Sequence, residues 1–85
     1  MPKHSDRADP ALGAALLAMR KKANRSQEDV AIRAGTTAGT LARIELAQTS
    51  PEWRTVRSLA AELGLSLRQL AVAVEQAERD SEPHT

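Results

Sequence analysis

The punctuation of this chain limits its fold more than any other feature, because helix-start and helix-stop residues alternate along it at short intervals. Asp9-Pro10 supplies an N-cap followed by a proline at the first helical position, where the missing N–H costs nothing. Ser26, Thr37 and Ser66 are further caps, and Gln69 completes a capping-box pattern with Ser66. Asn24, Gly35 and Gly64 are stops suited to a left-handed backbone. Between these marks apolar residues recur at helical spacing. A first helix carries Leu12, Leu16, Met19 and Ala23 on one face, with Arg20, Lys21 and Lys22 in its last turns. A short second helix turns Val30, Ala31 and Ala34 inward, and a third repeats Leu41 and Ile44. After the loop 46–51, a fourth opens at Pro51 and Glu52 and carries Trp53, Val56, Leu59, Ala60 and Leu63. A fifth is expected from Leu67 to about Ala77. Sixteen alanines and few β-branched residues agree with an all-α fold.

Phe and Tyr are absent, so the core must be aliphatic, with Trp53 expected as its one aromatic anchor. There is no cysteine, which excludes disulfides, thiolate zinc sites and thiol catalysis and makes a reducing cytoplasm the default compartment. The histidines, His4 and His84, lie at the two ends, and Glu28-Asp29 has no histidine or nucleophile near it in the motif. Neither an enzyme, a metal site nor a cofactor is expected. No apolar run approaches a membrane span. The 85 residues suit one domain without a separate sensor. Its expected limits are residues 9–78, between a disordered arm at 1–8 and a disordered tail at 79–85.

Counting Gln27 as first, Ala31 is fifth, Gly35 ninth, Leu41 fifteenth and Ile44 eighteenth. Ala31 permits close helix approach, Gly35 turns the chain with positive φ, and Leu41 with Ile44 locks the second helix of the pair onto the core. Further anchors stand in order around them: Asn24-Arg25-Ser26-Gln27, Ala34-Gly35-Thr36-Thr37, Leu41-Ala42-Arg43-Ile44-Glu45, Pro51, and the run from Ala60 to Ser66. Over residues 11–71 the chain resembles the phage-repressor-like (Xre-type) helix-turn-helix family, including Cro-like repressors and restriction-modification controller proteins.

That resemblance implies a compact five-helix bundle of the lambda-repressor-like type, with the third helix in the major groove of duplex DNA. Ala38, Gly39, Thr40 and Arg43 then occupy base-facing positions. Of these, Arg43 alone could read guanine O6 and N7 bidentately. Gln27, at the start of the second helix, is expected on a phosphate through its backbone N–H and side chain, joined by Thr36 and Thr37. Gln48, Thr49, Ser50 and Arg54 are the phosphate candidates around the loop, and Lys22 and Arg25 those at the end of the first helix. Arg20 and Glu45 match a semi-buried ion pair of the family. The chain departs from the family pattern in two places. Gly39 replaces a long polar base reader at a cost of about 1 kcal/mol in helix propensity. Leu46-Ala47 replaces the polar residue and glycine that commonly end the third helix.

On the fifth helix, Leu65 and Leu70 are expected to complete the monomer core. Leu67, Ala71, Val72 and Val74 are then left for a homodimer interface on a palindromic operator. An autoregulatory, cytoplasmic DNA-binding regulator follows, answering to its own concentration or to a second regulatory protein. The alternative is an antitoxin-like protein-interaction module, favoured by the short side chains at 38–40 and by Ile32 at a normally polar position. The charge separates along the chain: residues 10–70 carry nine basic and five acidic side chains, net +4, and residues 71–85 carry net −3. The +1 total therefore conceals a basic middle, where DNA would lie.

Overall fold

The computed structural model describes residues 8–81; the N-terminal arm up to residue 7, the end of the tail from 82, and both histidines lie outside the described residues. Five helices follow in order: α1 (Pro10–Lys22), α2 (Gln27–Arg33), α3 (Ala38–Glu45), α4 (Trp53–Glu62) and α5 (Leu67–Ser81). The expected caps form. Asp9 accepts the N–H groups of Ala11 and Leu12 at 3.0 and 3.3 Å, Ser26 that of Asp29 at 3.0 Å, and Thr37 that of Thr40 at 3.1 Å. Ser66 and Gln69 exchange reciprocal bonds of 2.8 and 3.0 Å, and each such cap contributes roughly 1 kcal/mol. Glu52, at the start of α4, makes no side-chain cap.

The first four helices all end in the same way. The N–H two residues past the C-cap reaches back five residues, and the N–H one past it makes the shorter inner bond: Arg25 to Arg20 and Asn24 to Lys21, Thr36 to Ala31 and Gly35 to Ile32, Gln48 to Arg43 and Ala47 to Ile44, Leu65 to Ala60 and Gly64 to Ala61. This double closure satisfies otherwise orphaned carbonyls and requires a left-handed residue at its pivot. The pivots are Asn24 (φ 58°), Gly35 (87°), Ala47 (59°) and Gly64 (76°). Three are the expected stops. Ala47 is the outlier, a residue with a β-carbon where glycine would sit without strain.

Leu16, Val30, Ala31, Leu41, Ile44, Val56, Leu59, Ala60 and Leu70 form one aliphatic core, with Leu12, Ala34, Leu63, Leu65 and Val74 packed around it. α1 lies against α5 and α3, α2 against α3 and α4, and α4 against α5. Four expectations are corrected here. Trp53 is 61% exposed and anchors nothing. It is the first residue of α4, and the buried stripe begins a turn later at Val56, because periodicity sets a residue's angle on the helix but not whether a neighbour covers that end. Val74 packs on the monomer core rather than standing free, four residues beyond buried Leu70 and so on the same face of α5. The helical part of the expected tail extends to Ser81, held by bonds from Gln76 to Asp80, Arg79 to Gln76, and Ser81 to the Glu78 carbonyl. Ala23, expected on the inner face, is an exposed C-cap.

Gly13 was not marked by the sequence reading. It is buried in α1, and a β-carbon there would collide with the carbonyl oxygen of Ile44 and stand 2.8 Å from that of Glu45. Its backbone therefore rests directly on the end of α3. Gly13, Leu16 and Arg20 are spaced to share one face of α1, so the helix that seats α3 also presents the cation that pairs with it. An isolated glycine inside an apolar helical stripe is the sequence signal for such an approach.

Candidate nucleic-acid interface

α3 divides into two faces. Leu41, Ile44 and Glu45 are buried, Gly39 and Arg43 are exposed, and Ala38 and Thr40 are half-buried between them. Thr37 Oγ1 lies 3.0 Å from Thr40 Oγ1, and the Arg43 guanidinium reaches Thr40 Oγ1 only at 3.5 Å. Arg43 forms no ion pair among the described residues, so its donors remain available to an outside acceptor. A β-carbon at Gly39 would meet nothing nearer than the Arg43 guanidinium at 3.8 Å, so packing does not require glycine there.

Beneath this face lies the ion pair that fixes α3 to α1. Arg20 Nε donates to Glu45 Oε2 at 2.8 Å and Nη2 to Oε1 at 3.1 Å, a two-pronged pairing with a carboxylate whose side chain is only 2% exposed. The remaining Arg20 prong donates to the Arg25 carbonyl at 2.9 Å, tying in the α1–α2 turn. These bonds to Glu45 raise the Arg20 pKa above its ordinary value. Gln27 Nε2 donates to Glu45 Oε1 at 2.8 Å, so the side chain expected on a phosphate already has an internal partner.

Arg25 is placed differently from the free cation expected of it. Its guanidinium donates to the Glu62 carboxylate at 2.6 Å, the Glu62 carbonyl at 2.7 Å and Asp29 at 2.7 Å, joining the α1–α2 turn to the end of α4. The hydrogen bond from Arg25 in turn holds Asp29 below its ordinary pKa, with Arg33 adding to the effect. Two reciprocal acids thus occupy the cation, which makes Arg25 a structural bolt. Its partner Glu62 is thirty-seven residues away in sequence, beyond the reach of any local spacing rule.

Lys21, Lys22, Arg54, Arg57 and Arg68 are exposed and, like Arg43, carry no ion pair among the described residues. One shallow hollow of about 410 Å³ is lined by Arg20, Lys21, Asn24, Arg25 and Ser26, and another of about 280 Å³ by Arg54, Arg57, Ser58 and Ala61. Neither contains a carboxylate. In the α3–α4 loop, Gln48 and Ser50 are exposed and Thr49 half-buried, while half-buried Thr36 uses its backbone N–H to close α2. On α5, Leu67 and Val72 are 42% and 57% exposed and Ala71 is exposed. Leu67 and Ala71 share a shoulder of the helix, and Val72 lies about 100° further round, so the three do not form one stripe.

The helix-turn-helix domain family model matches residues 11–73, spanning all of α2 and α3 and most of the fold. The chain belongs to this DNA-binding family. In solved structures, the helix-turn-helix chain is similar to the clp gene regulator ClgR from Corynebacterium glutamicum, with a TM-score of 0.76 at 22% identity. That match covers 85% of this chain and 82% of the other, and it establishes a shared fold. No curated protein matches the sequence. Family membership places the domain among DNA-binding transcription regulators. No helix among the described residues is long and apolar enough to cross a membrane.

Proposed function

We propose that this helix-turn-helix protein is a sequence-specific, double-stranded-DNA-binding transcriptional regulator that acts as a cytoplasmic homodimer on a palindromic operator and controls its own promoter. The observation that carries the reading is the seating of α3: buried Leu41, Ile44 and Glu45 fix its inner side, and Arg43, in no ion pair among the described residues, stands on its outer side beside side chains too small to obstruct a groove. The fold shared with a gene regulator supports it. Arg43 reads a guanine, Ala38 and Thr40 offer methyl contacts to thymine, and Gly39 lets the helix backbone approach. Lys22 and Arg54 neutralise phosphates, with Gln27, Thr37, Gln48, Thr49 and Ser50 as hydrogen-bonding partners to the backbone. So short a code per half-site gains from a second copy, for which Leu67 and Ala71 are the exposed apolar seam.

Selection of bound sites from random duplex DNA, with the mass of the complex measured, tests this reading. The expected result is a two-fold symmetric site bound by two chains, with affinity falling steeply as salt rises, and with Arg43→Ala relaxing preference at one base pair per half-site. Failure to enrich any sequence would overturn it.

A second reading has its own observation. Ile32, Leu46 and Trp53 are 62%, 66% and 61% exposed, more apolar surface than a DNA face needs. An antitoxin-like module would use that surface for a protein partner, and would show salt-insensitive behaviour and no effect of Arg43→Ala.

A further inference from the structure

We propose that Glu45 is a positioning residue for DNA binding: from inside the protein it holds the Gln27 carboxamide so that the second amide N–H of Gln27 meets a backbone phosphate. The inference rests on the DNA-binding reading above and adds a residue that never touches DNA. Both Glu45 oxygens accept from the Arg20 guanidinium, so the end of the Gln27 amide that faces this carboxylate must be the nitrogen. That assigns the amide's orientation chemically. One of the two Nε2 protons is taken by Glu45 Oε1 at 2.8 Å, and no other hydrogen bond from this side chain forms among the described residues. Gln27 is half-buried, so its second N–H remains available at the surface.

Phosphate is the partner this arrangement suits, because it accepts and never donates. An anion beneath the surface would ordinarily repel it. Arg20 cancels that charge with two bonds to the same carboxylate, so the donor is held by a pair that is neutral overall. The conformational freedom of the Gln27 side chain is already lost before DNA arrives. Arg20, Glu45 and Gln27 thus form a line from the helix interface to the surface, and the ion pair affects binding through a contact it does not itself make.

Operator DNA carrying a neutral methylphosphonate at each backbone position in turn tests this. Among the phosphates whose neutralisation weakens binding, the one that meets Gln27 is expected to cost the full chain about tenfold per half-site, the worth of one hydrogen bond to a charged acceptor. Gln27→Ala should lose that factor on natural DNA and show little further loss at the same methylphosphonate. Glu45→Ala should share this signature although its side chain is buried, whereas Glu45→Gln, which keeps an acceptor oxygen for Gln27, should recover sensitivity to that phosphate while remaining less heat-stable. A merely structural role would weaken binding to every backbone alike and leave the methylphosphonate profile unchanged. Should Glu45→Ala not fold, the side-chain amide NMR signals of Gln27 in the wild-type chain decide the matter. On adding operator, the proton bonded to Glu45 should stay and the other should move; displacement of the bonded proton overturns the proposal. A chain that retains no DNA refutes the DNA-binding reading, and one that retains DNA without this signature refutes the positioning role alone.

Discussion

Replacing Ala47 with glycine should make the protein more stable, although it removes a side-chain atom. Ala47 is the pivot of the turn that closes α3, at φ 59°, where its β-carbon crowds the following carbonyl at a cost of about 1–2 kcal/mol. Two effects oppose the relief. Glycine adds about 0.4–1 kcal/mol of freedom to the unfolded chain. The lost methyl is half-buried, worth up to about 0.4 kcal/mol by half the value of a fully buried group. The net gain is roughly 0.5 kcal/mol, which for a domain of this size raises the thermal midpoint by about 2–4 °C. Gly35 and Gly64 provide the reverse experiment at equivalent pivots, and a β-carbon at either would meet no atom within 4 Å. Gly35→Ala and Gly64→Ala should each lose about 1 kcal/mol through backbone strain alone. Urea and thermal unfolding followed by far-ultraviolet circular dichroism, at one protein concentration so that any self-association is held constant, measures all three. If Ala47→Gly lowers the midpoint while its urea slope is unchanged, left-handed strain is not what distinguishes this turn.

Gly13→Ala should cost about 1–3 kcal/mol, since the new methyl falls on the backbone of α3 and not on a side chain that can swing away; unchanged denaturant stability would contradict the close approach. In the pair beneath α3, Arg20→Ala should cost about 3 kcal/mol or more, and more than Glu45→Ala, because it strands a carboxylate that is 2% exposed whereas the guanidinium is 12% exposed and nearer solvent. The double variant should lose less than the sum, and additive losses would show no coupling. Asp29 titrates below its ordinary value near 3.8 because Arg25 holds its charged form, so its stabilising share is complete above that value and is lost as pH falls through the lower folded-state value. Asp29→Asn should therefore differ from wild type above the ordinary value and converge with it as pH falls below that value in urea titrations; a gap constant with pH would refute the assignment.

The elements of this fold were legible in the sequence because the contacts that bound them are local. A cap spans three residues and a helix-closing turn five, so Ser26, Thr37, Ser66, Asn24, Gly35 and Gly64 identified their own roles, and Gln27 to Ile44 identified the helix pair. The family resemblance located Arg20 and Glu45 as partners across twenty-five positions.

What remained depended on which helix covers which side chain. Periodicity placed Trp53 and Val56 on one stripe of α4, yet only Val56 is buried; Val74 was left free for a second copy, yet it packs against the monomer core. Arg25 looked like a surface cation until the end of α4 brought Glu62 to it, and Gln27 like a free phosphate ligand until α3 placed Glu45 behind it. The sequence by itself determined where each helix begins and where α1, α2 and α4 end, the aliphatic character of the core, and the basic middle of the chain, since each follows from neighbours along the backbone or from composition. Only the tertiary structure decided burial, ion pairing and the seating of α3 on Gly13, because those energies depend on distances between residues that the chain order keeps far apart.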